Sequence, residues 1–362
     1  MSYAPTLMTI QLPISKSIAQ RQLMLAHINN KPYPDWCDIE ELPQDVITLQ
    51  QMLKNYDKGG NTFNANDNAT AARFMLALLA ATNGKKSHLD GSPQLRKRPM
   101  GQLINALCKA GVQIKCTRKE GFLPVKITGA DLSGTVKLND VISSQFVSAI
   151  KLIQLLPNVS IDLHTNCHSP YLKMTEKMIE GYQQPNSKSP AEKDWSAAAF
   201  WYEYLALHPE KHPEGLLLKD LSVKSLQGDK AVKDIFKPLG IKTRQTKEGV
   251  HITINKDVTK PSVLCVNFTS CTDLYPAVFT TCYKSGVRLD AIGTSSLYFK
   301  ESNRIFAMAQ LLTTTKEQML MSFGDHRIAM ALLCADYKVD DTDCIKKSYP
   351  QFMGQWNKIN SL

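Results

Sequence analysis

The stretch INALCKAGVQIK, residues 104–115, has a counterpart in VKDIFKPLGIKTR, residues 232–244. In both segments a helical pattern of apolar residues leads to a glycine and then to a strand-like run. The two segments align with an offset of one residue. A helix that passes through glycine into a strand, once in each half of the chain, indicates repeated βαβ-type units and an α/β fold with two similar halves.

Strand-like runs alternate with helical patterns along the rest of the chain. These runs are TLMTIQL (6–12), VQIKC (112–116), LPVKITG (123–129), VSIDLH (159–164), GIKTRQT (240–246), VHITI (250–254), SVLCVNF (262–268) and VRLDAI (287–292). A chain of 362 residues is long enough for two domains. The polar segment EGYQQPNSKSPAEKD, residues 180–194, has two prolines and no periodicity and predicts a linker or a surface loop.

The composition limits the functional classes. Apolar residues make up 43% and charged residues 21%, which is typical of a globular protein, and no apolar run is long enough to cross a membrane. No secretory signal is evident, and nine cysteines without a CxxC pair indicate reduced thiols, so we expect a cytoplasmic protein. No HExxH motif indicates a metal site. The net charge of +10 favours anionic partners, but no basic run with interleaved aromatic residues points to nucleic acid.

Cations lie at the starts of several predicted helices. The segment PISKSIAQRQLMLA, residues 13–26, predicts a helix that starts near Lys16 with Ser15 as its N-cap. The same pattern recurs with Arg73 after a Thr70 cap, Arg96–Arg98 before Pro99 at a first helical position, Lys300 and Arg304, His326 and Arg327, and Lys346 and Lys347. A positive helix end and a cation repel each other unless an anion lies between them. If these ends converge, they form a pocket for the phosphates and carboxylates of small molecules.

Polar residues between these segments have two possible roles. Ser143 and Ser144, in VISSQFVSAI, suit either helix capping or ligand binding. Asp273 and Glu301 lie near cations, which fits structural ion pairs and also general acids or bases. These residue patterns leave both alternatives open.

Nine segments together resemble the signature blocks of the 5-enolpyruvylshikimate-3-phosphate synthase family. In chain order they are SKSIAQR, LDGSPQLRKRPMGQL, SSQFVSAI, SPYLKMT, EKDWSAAAFW, TDLYPAVFTT, FKESNRIFAMAQ, GDHRIAMAL and KKSYPQF. The resemblance implies a two-domain inside-out α/β barrel, the enolpyruvyl transferase fold, built from βαβαββ repeats with one repeat truncated in each domain. It implies one domain of residues 14–192, a second of residues 1–13 plus 193–362, and an active site in the cleft between them.

The resemblance also implies an activity. The family transfers the enolpyruvyl group of phosphoenolpyruvate to the 5-hydroxyl of shikimate 3-phosphate and releases phosphate, in the shikimate pathway to chorismate and the aromatic amino acids. It implies no metal or organic cofactor, no nucleic acid or membrane partner, and a monomer. The alternative is a non-catalytic or low-activity anion-binding relative. The sister enzyme that acts on UDP-N-acetylglucosamine is disfavoured, because Ser17 follows Lys16 and the RKRPMG loop lacks a cysteine.

Site residues follow from the matched motifs. The resemblance implies Lys16, Asp273 and Glu301 as catalytic residues. It implies shikimate 3-phosphate ligands at Lys16, Ser17, Arg21, Ser143, Ser144, Gln145, His168, Tyr171, Asp273, Ser296 and Lys300. It implies phosphoenolpyruvate ligands at Lys16, Asp67, Ala69, Arg98, Gln145, Arg304, Arg327 and Lys347.

The chain departs from the family pattern in four places. NDNAT replaces a GNAGT-type loop, so that Ala69 narrows the phosphoenolpyruvate pocket and the carboxylate of Asp67 faces an anion. From this we expect poor inhibition by glyphosate, which occupies that pocket. His168 stands where a serine is expected, and Asn303 where an aspartate would accompany Arg304. Segments are missing after Ile179 and after Leu312, at equivalent places in the two halves.

Overall fold

The computed structural model describes residues 7–38, 41–182, 192–314 and 318–361. The chain forms two compact units. The inserted unit comprises Lys16–Glu40 and Gln44–Pro190, and the terminal unit comprises Met1–Ser15, Glu41–Pro43 and Ala191–Leu362. Most of the segment predicted as a linker, residues 180–194, lies outside the described residues.

Strands and helices alternate through most of the chain. The strands are β1 Met8–Gln11, β2 Thr62–Asn64, β3 Lys86–Asp90, β4 Gln113–Cys116, β5 Val125–Thr128, β6 Leu132–Lys137, β7 Val159–His164, β8 Leu216–Lys219, β9 Ile241–Gln245, β10 Gly249–Ile254, β11 Val263–Asn267 and β12 Arg288–Ile292. The α-helices are α1 Lys16–Ile28, α2 Gln44–Asp57, α3 Ala69–Ala80, α4 Gly101–Lys109, α5 Ser144–Ile153, α6 Pro170–Tyr182, α7 Trp195–Leu207, α8 Val232–Ile235, α9 Tyr275–Lys284, α10 Arg304–Ala309, α11 His326–Cys334 and α12 Phe352–Asn360. Every strand-like run predicted from the sequence overlaps one of these strands.

The inserted unit contains one complete βαβαββ repeat, formed by β2, α3, β3, α4, β4 and β5. Its sheet has the order β2-β3-β5-β4, with β2 parallel to β3 and an antiparallel β4–β5 hairpin added through β5. The parallel pair needs a crossover, which α3 supplies. This helix, ATAARFMLALLA, is buried at every position except Thr70, because it is apolar on nearly all sides.

The terminal unit contains the same repeat with the inserted unit interrupting it. Its sheet has the order β1-β8-β10-β9, with β1 parallel to β8 and an antiparallel β9–β10 hairpin added through β10. The two matching segments of the sequence are α4 with β4 and α8 with β9, which occupy equivalent places in the two repeats. Gly111 and Gly240 make the turns with φ values of +115° and +93°, a region that favours glycine. The predicted internal repeat is therefore confirmed.

Each unit also has a two-stranded parallel sheet, β6 with β7 and β11 with β12. The order β6-α5-β7-α6 matches β11-α9-β12-α10, and both reproduce the first part of a βαβαββ repeat. Among the described residues neither pair continues into an antiparallel hairpin. This agrees with the repeats that the sequence predicts to be shortened after Ile179 and after Leu312.

The core of the terminal unit is built around α7. The segment WSAAAFWYEYLAL is apolar except for Ser196 and Glu203, and every residue from Trp195 to Ala206 is buried. Asp194 caps this helix, because its carboxylate accepts the N–H groups of Ser196 and Ala197. Among the described residues no helix combines the length and the apolar character that a membrane crossing requires.

Two helix starts differ in detail from the prediction. Helix α1 begins at Lys16 as expected, but the Oγ of Ser15 has no hydrogen-bond partner among the described residues, so Ser15 does not cap it. Helix α4 begins at Gly101 rather than at Pro99. The reason is the backbone of Met100, which has φ −125° and ψ −2°, outside the helical region, so that the helix begins only at the next residue.

Candidate active site

Lys16, in the inserted unit, has a fixed counter-ion. Its amino group lies 2.8 Å from a carboxylate oxygen of Asp45 near the start of α2. Asn68 holds this helix in place, because its side-chain amide donates to the backbone oxygen of Asp45 at 2.5 Å. The other end of the Asn68 side chain accepts the N–H of Ala71 and caps α3. The cap predicted at Thr70 is therefore wrong by two residues, since the capping side chain must precede the first helical turn.

Arg21 links α1 to α6 through uncharged acceptors. Its guanidinium donates to Thr175 Oγ1 at 2.7 Å, to the backbone oxygen of Ser17 at 2.7 Å and to that of Tyr171 at 3.2 Å. The side chain is buried, and burial lowers the pKa of Arg21 to about 10. The structure thus brings together Ser17, Arg21 and Tyr171, three of the predicted ligands of shikimate 3-phosphate.

Ser143 and Gln145, at the start of α5, face Arg73 of α3. One nitrogen of Arg73 donates to Ser143 Oγ at 3.1 Å and to Gln145 Oε1 at 2.5 Å. The amide of Gln145 donates to Thr70 Oγ1 at 2.8 Å. The sequence identifies Arg73 only as a cation at a helix start and assigns it no ligand. We call Lys16, Arg21, Arg73, Ser143 and Gln145 the inserted cluster.

Two loops of the inserted unit lie side by side because they follow the parallel strands β2 and β3. They are residues 64–69 and residues 90–98. The N–H of Ser92 donates to the backbone oxygen of Asn66 at 2.9 Å, and the hydroxyl of Ser92 donates to the carboxylate of Asp67. The acid that the sequence predicts to face phosphoenolpyruvate is therefore engaged by Ser92. Ala69 starts α3 after the first loop, and Arg98 ends the second.

Three predicted ligands have side chains without protein partners in the described ranges. Ser144 is the first residue of α5, His168 is exposed ahead of α6, and Ser296 lies in a 3₁₀ turn of the terminal unit. In the described ranges these three side chains form no hydrogen bond or ion pair with another residue. Their predicted roles depend on the ligand alone.

Arg304 contacts three carboxylates of the terminal unit. Its fully buried guanidinium lies 2.8 Å from Asp325, 2.7 Å from Asp273 and 2.9 Å from Glu301. Burial alone would lower the pKa of Arg304, but these carboxylates outweigh it and raise the pKa. Asn303 caps α10 by accepting the N–H of Phe306 at 3.2 Å. Asn303 thus supplies no carboxylate to Arg304, and three carboxylates from other positions surround the guanidinium instead.

Asp273 lies among three cations. Its carboxylate is 2.7 Å from Arg304, 2.9 Å from Arg327 and 3.2 Å from Lys300. Burial works to raise the pKa of Asp273, but the three cations hold it well below its usual range. Lys347 approaches the same group of charges from the C-terminal segment, with its amino group 3.7 Å from Glu301. We call Asp273, Lys300, Glu301, Arg304, Arg327 and Lys347 the terminal cluster.

Asp229 is a buried acid that the sequence does not mark. It accepts a hydrogen bond from the hydroxyl of Ser196, and burial together with the nearby charge of Asp273 raises its pKa to about 6. It occurs in SLQGDKA, where no periodicity or motif distinguishes it from a surface aspartate. Only the fold, which brings its charge near those of Asp273 and Arg327, reveals it.

The two clusters contain the groups that anion binding and proton transfer require. Guanidinium, hydroxyl and amide groups bind phosphates and carboxylates, and buried carboxylates transfer protons. Within the described part of the chain, no group of three or more His, Cys, Asp or Glu side chains is arranged to hold a metal ion.

Comparisons with known proteins agree on one family. The family model for EPSP synthase (3-phosphoshikimate 1-carboxyvinyltransferase) matches residues 36–356. The 3-phosphoshikimate 1-carboxyvinyltransferase of Bacteroides fragilis (strain YCH46) is 29% identical, over 97% of this chain and 94% of that protein. The enzyme of the same name from Methanospirillum hungatei JF-1 is 26% identical, over 98% of this chain and 96% of that protein.

Solved structures support the fold. An EPSP synthase from Acinetobacter baumannii superposes with a TM-score of 0.66 at 20% identity, covering 97% of this chain and 95% of that chain. The enolpyruvyl transferase NikO from Streptomyces tendae gives a TM-score of 0.61 at 12% identity, covering 97% of this chain and 94% of that chain. The predicted enolpyruvyl transferase fold is confirmed.

Proposed function

Because the chain belongs to the EPSP synthase family, we propose that its inserted and terminal clusters act together in one enolpyruvyl transfer. Membership makes the chain an enzyme, a transferase of the shikimate pathway and of aromatic amino acid biosynthesis. In the reaction, the 5-hydroxyl of shikimate 3-phosphate bonds to C2 of phosphoenolpyruvate while C3 gains a proton. The resulting intermediate loses phosphate and a proton from C3, which restores the double bond.

The inserted cluster binds shikimate 3-phosphate in this proposal. Ser143, Ser144 and Gln145 hold the phosphate with Arg73, since their groups already converge at the start of α5. Ser17 and Arg21 hold the carboxylate, with Tyr171 beside them. His168, Ser296 and Lys300 complete the proposed ligands of this substrate.

Phosphoenolpyruvate binds to cations from both units. The proposed ligands are Lys16, Arg98, Gln145, Arg304, Arg327 and Lys347, with Asp67 and Ala69 at the edge of the pocket. In the structure, Arg304 and Arg327 form ion pairs with carboxylates. Phosphoenolpyruvate therefore has to share these guanidinium groups with Asp273 and Glu301. The observation that carries the proposal is this concentration of buried arginines and carboxylates in a family whose reaction joins two anions.

In this proposal, binding of the substrate to Arg304 and Arg327 also makes Asp273 a stronger base. Asp273 is a weak base while Arg327, Lys300 and Arg304 hold its pKa down. When the phosphate and carboxylate of phosphoenolpyruvate engage the two arginines, less positive charge stabilises the carboxylate of Asp273, and its pKa rises. Asp273 then accepts the proton of the 5-hydroxyl, while Glu301 or Lys16 supplies a proton to C3.

Phosphate release tests the proposal. Purified protein is supplied with shikimate 3-phosphate and phosphoenolpyruvate, and inorganic phosphate is measured for the wild type, Lys16→Ala and Glu301→Ala. Lys177→Ala and Glu180→Ala are matched controls, because these residues form an exposed ion pair on α6. We expect turnover in the wild type and both controls and its loss in the other two variants. Binding of shikimate 3-phosphate without turnover would instead indicate the non-catalytic, anion-binding alternative.

We extend the proposal to a cytoplasmic monomer, on the basis of the biosynthetic role of the family and the expectations from the sequence. Light scattering of the purified protein measures the mass, for which a single chain gives 40.4 kDa. Fractionation of the source cells tests the location. A dimer mass or a membrane-associated fraction would contradict this extension without affecting the proposed chemistry.

A further inference from the structure

The loops 64–69 and 90–98 are joined more closely than the parallel strands before them require. Besides the bonds of Ser92, the N–H of Ala65 donates to the backbone oxygen of Asp90 at 2.9 Å. A Cβ added at Gly91 would lie 2.9 Å from the backbone oxygen of Asn66 and 2.5 Å from the side chain of Leu95. The two loops are therefore packed backbone to backbone, and only glycine permits this approach.

Ser92 connects the first loop to the turn that precedes Arg98. Its hydroxyl donates to Asp67 and accepts the N–H of Leu95 at 3.1 Å. Leu95 begins the 3₁₀ turn Leu95–Lys97, after which the chain reaches Arg98. The hydroxyl can make both bonds at once, because it has one donor and two acceptor positions. A continuous chain of contacts thus runs from the carboxylate of Asp67 to the backbone before Arg98.

A second contact fixes the same turn from its other side. Arg96 donates two hydrogen bonds to Asp90, at 2.8 Å and 2.5 Å. This paired geometry restricts the orientation of the second loop more strongly than a single bond does. The position of Arg98 is then set by Asp90 with Arg96 and by Asp67 with Ser92.

We infer that Asp67 and Ser92 form a positioning pair that fixes Arg98 and Ala69 at the phosphoenolpyruvate pocket, and that Asp67 acts through Ser92 rather than as a ligand of the substrate. This inference rests on the proposed function for its catalytic consequence. A carboxylate would repel phosphoenolpyruvate if it faced the ligand. The carboxylate of Asp67 instead accepts a hydrogen bond from the hydroxyl of Ser92 and has a structural role. The pair thereby accommodates an acid beside an anion-binding pocket.

Steady-state kinetics of four variants test the pair. Asp67→Ala and Ser92→Ala each remove the bond, and we expect each to raise KM for phosphoenolpyruvate about tenfold, the factor that one hydrogen bond of this kind supplies. KM for shikimate 3-phosphate changes less. The double variant is no worse than either single variant, because the two residues act as one unit. Asp67→Asn retains an oxygen acceptor for Ser92 and restores most of the affinity.

Hydrogen–deuterium exchange supplies a readout that does not need turnover. The amide of Leu95 loses its acceptor in Ser92→Ala, so we expect exchange in the segment 92–98 to accelerate about tenfold. Ser222→Ala is the matched control, because Ser222 Oγ accepts a backbone N–H, that of Lys224 at 3.2 Å, in the other unit. It should leave the exchange of segment 92–98 and both KM values unchanged.

The outcomes separate this inference from the proposed function. If the wild type turns over and Ser92→Ala changes neither the exchange nor KM, the positioning pair is wrong and the function stands. If Asp67→Asn is as impaired as Asp67→Ala, the charge of Asp67 acts on its own and the inference fails. If the wild type has no turnover but exchange accelerates as expected, the proposed function fails while the structural pair stands.

Discussion

The two clusters of the molecule hold their buried arginines in opposite ways. In the inserted cluster, Arg21 donates to a hydroxyl and to two backbone oxygens, and burial lowers its pKa to about 10. In the terminal cluster, Arg304 is just as deeply buried but contacts Asp273, Glu301 and Asp325, which raise its pKa despite the burial. The first arginine keeps an uncompensated charge, whereas the second is neutralised by the protein.

This difference indicates a division of labour. Neutral acceptors orient a cation without cancelling its charge, so an anionic substrate can supply the missing counter-charge at full strength. Carboxylates around a cation are themselves acids and bases, and a substrate anion that displaces them changes their pKa values. The inserted cluster is therefore suited to binding, whereas the terminal cluster couples the binding of an anion to proton transfer. Lys16 with Asp45 is the exception, which fits its proposed part in both tasks.

The largest expected effect tests this division directly. Glu301→Gln keeps an acceptor for Arg304 but removes the titrating group, so we expect kcat to fall by about 10²–10⁴-fold with little change in KM for shikimate 3-phosphate. Ser143→Ala in the inserted cluster should raise that KM about tenfold and leave kcat nearly unchanged. Both are measured by phosphate release. A loss of kcat in Ser143→Ala with normal kcat in Glu301→Gln would reverse the assignment.

Stability gives the next largest contrast. Arg304→Met removes the cation that three carboxylates share and leaves the fully buried Asp325 without its arginine, so we expect the free energy of unfolding to fall by about 3–5 kcal/mol. Arg21→Met leaves only neutral acceptors, one of which is a hydroxyl that also donates to Ser148, so we expect a fall of about 1–3 kcal/mol. Urea unfolding of both variants measures the difference. Equal losses would show that neutral and charged partners hold the two arginines equally.

The pH dependence of stability tests the electrostatics behind the terminal cluster. The pKa of Asp229 is about 6 in the folded chain, against an ordinary value of 3.8. The folded protein therefore keeps a proton that the unfolded chain has already released. The stability from this group is fully present below about pH 4 and is lost as the pH rises to about 6, a change of about 3 kcal/mol.

Asp229→Asn removes this titration and retains an acceptor for Ser196. Both proteins are unfolded in urea at several pH values between pH 4 and pH 6. We expect the free energy of unfolding of the variant to change less over this range than that of the wild type, and to be the higher of the two at pH 6. If the free energies of unfolding of the two proteins change equally with pH over this range, the raised pKa of Asp229 is contradicted.

The fold was largely accessible to sequence reasoning because its signals are local. Alternating or β-branched runs predict β4, β5, β9 and β10, and the helix–glycine–strand pattern predicts the repeat. Strand β2 has only three residues, TFN, and β3 has the polar sequence KSHLD. Neither contains enough pattern to be recognised, and both exist because neighbouring strands and α3 supply the missing partners.

In the candidate site, too, local features could be predicted from the sequence and contacts between distant residues could not. Its cations could be predicted, since a lysine or arginine at a helix start is visible in the sequence. Their partners could not, because they come from distant parts of the chain. Lys16 pairs with a residue 29 positions away, Arg304 with Asp325 at 21 positions, and Arg73 with Ser143 at 70 positions. No periodicity joins such residues, and only tertiary packing decides that the arginines of the terminal cluster are already paired with carboxylates.

The smallest expected effect concerns the shape of the pocket rather than its charge. Ala69 is buried at the first turn of α3. Under the proposed function, we expect its methyl group to narrow the phosphoenolpyruvate site. Glyphosate should therefore inhibit the wild type poorly, and Ala69→Gly should increase its affinity about tenfold, a typical consequence of removing one crowded methyl group. Ala77→Gly, buried later in the same helix, is the control for general destabilisation. If Ala69→Gly leaves the inhibition constant unchanged, the poor inhibition has an electrostatic origin, and the charges of the two clusters rather than the methyl group decide which anion binds.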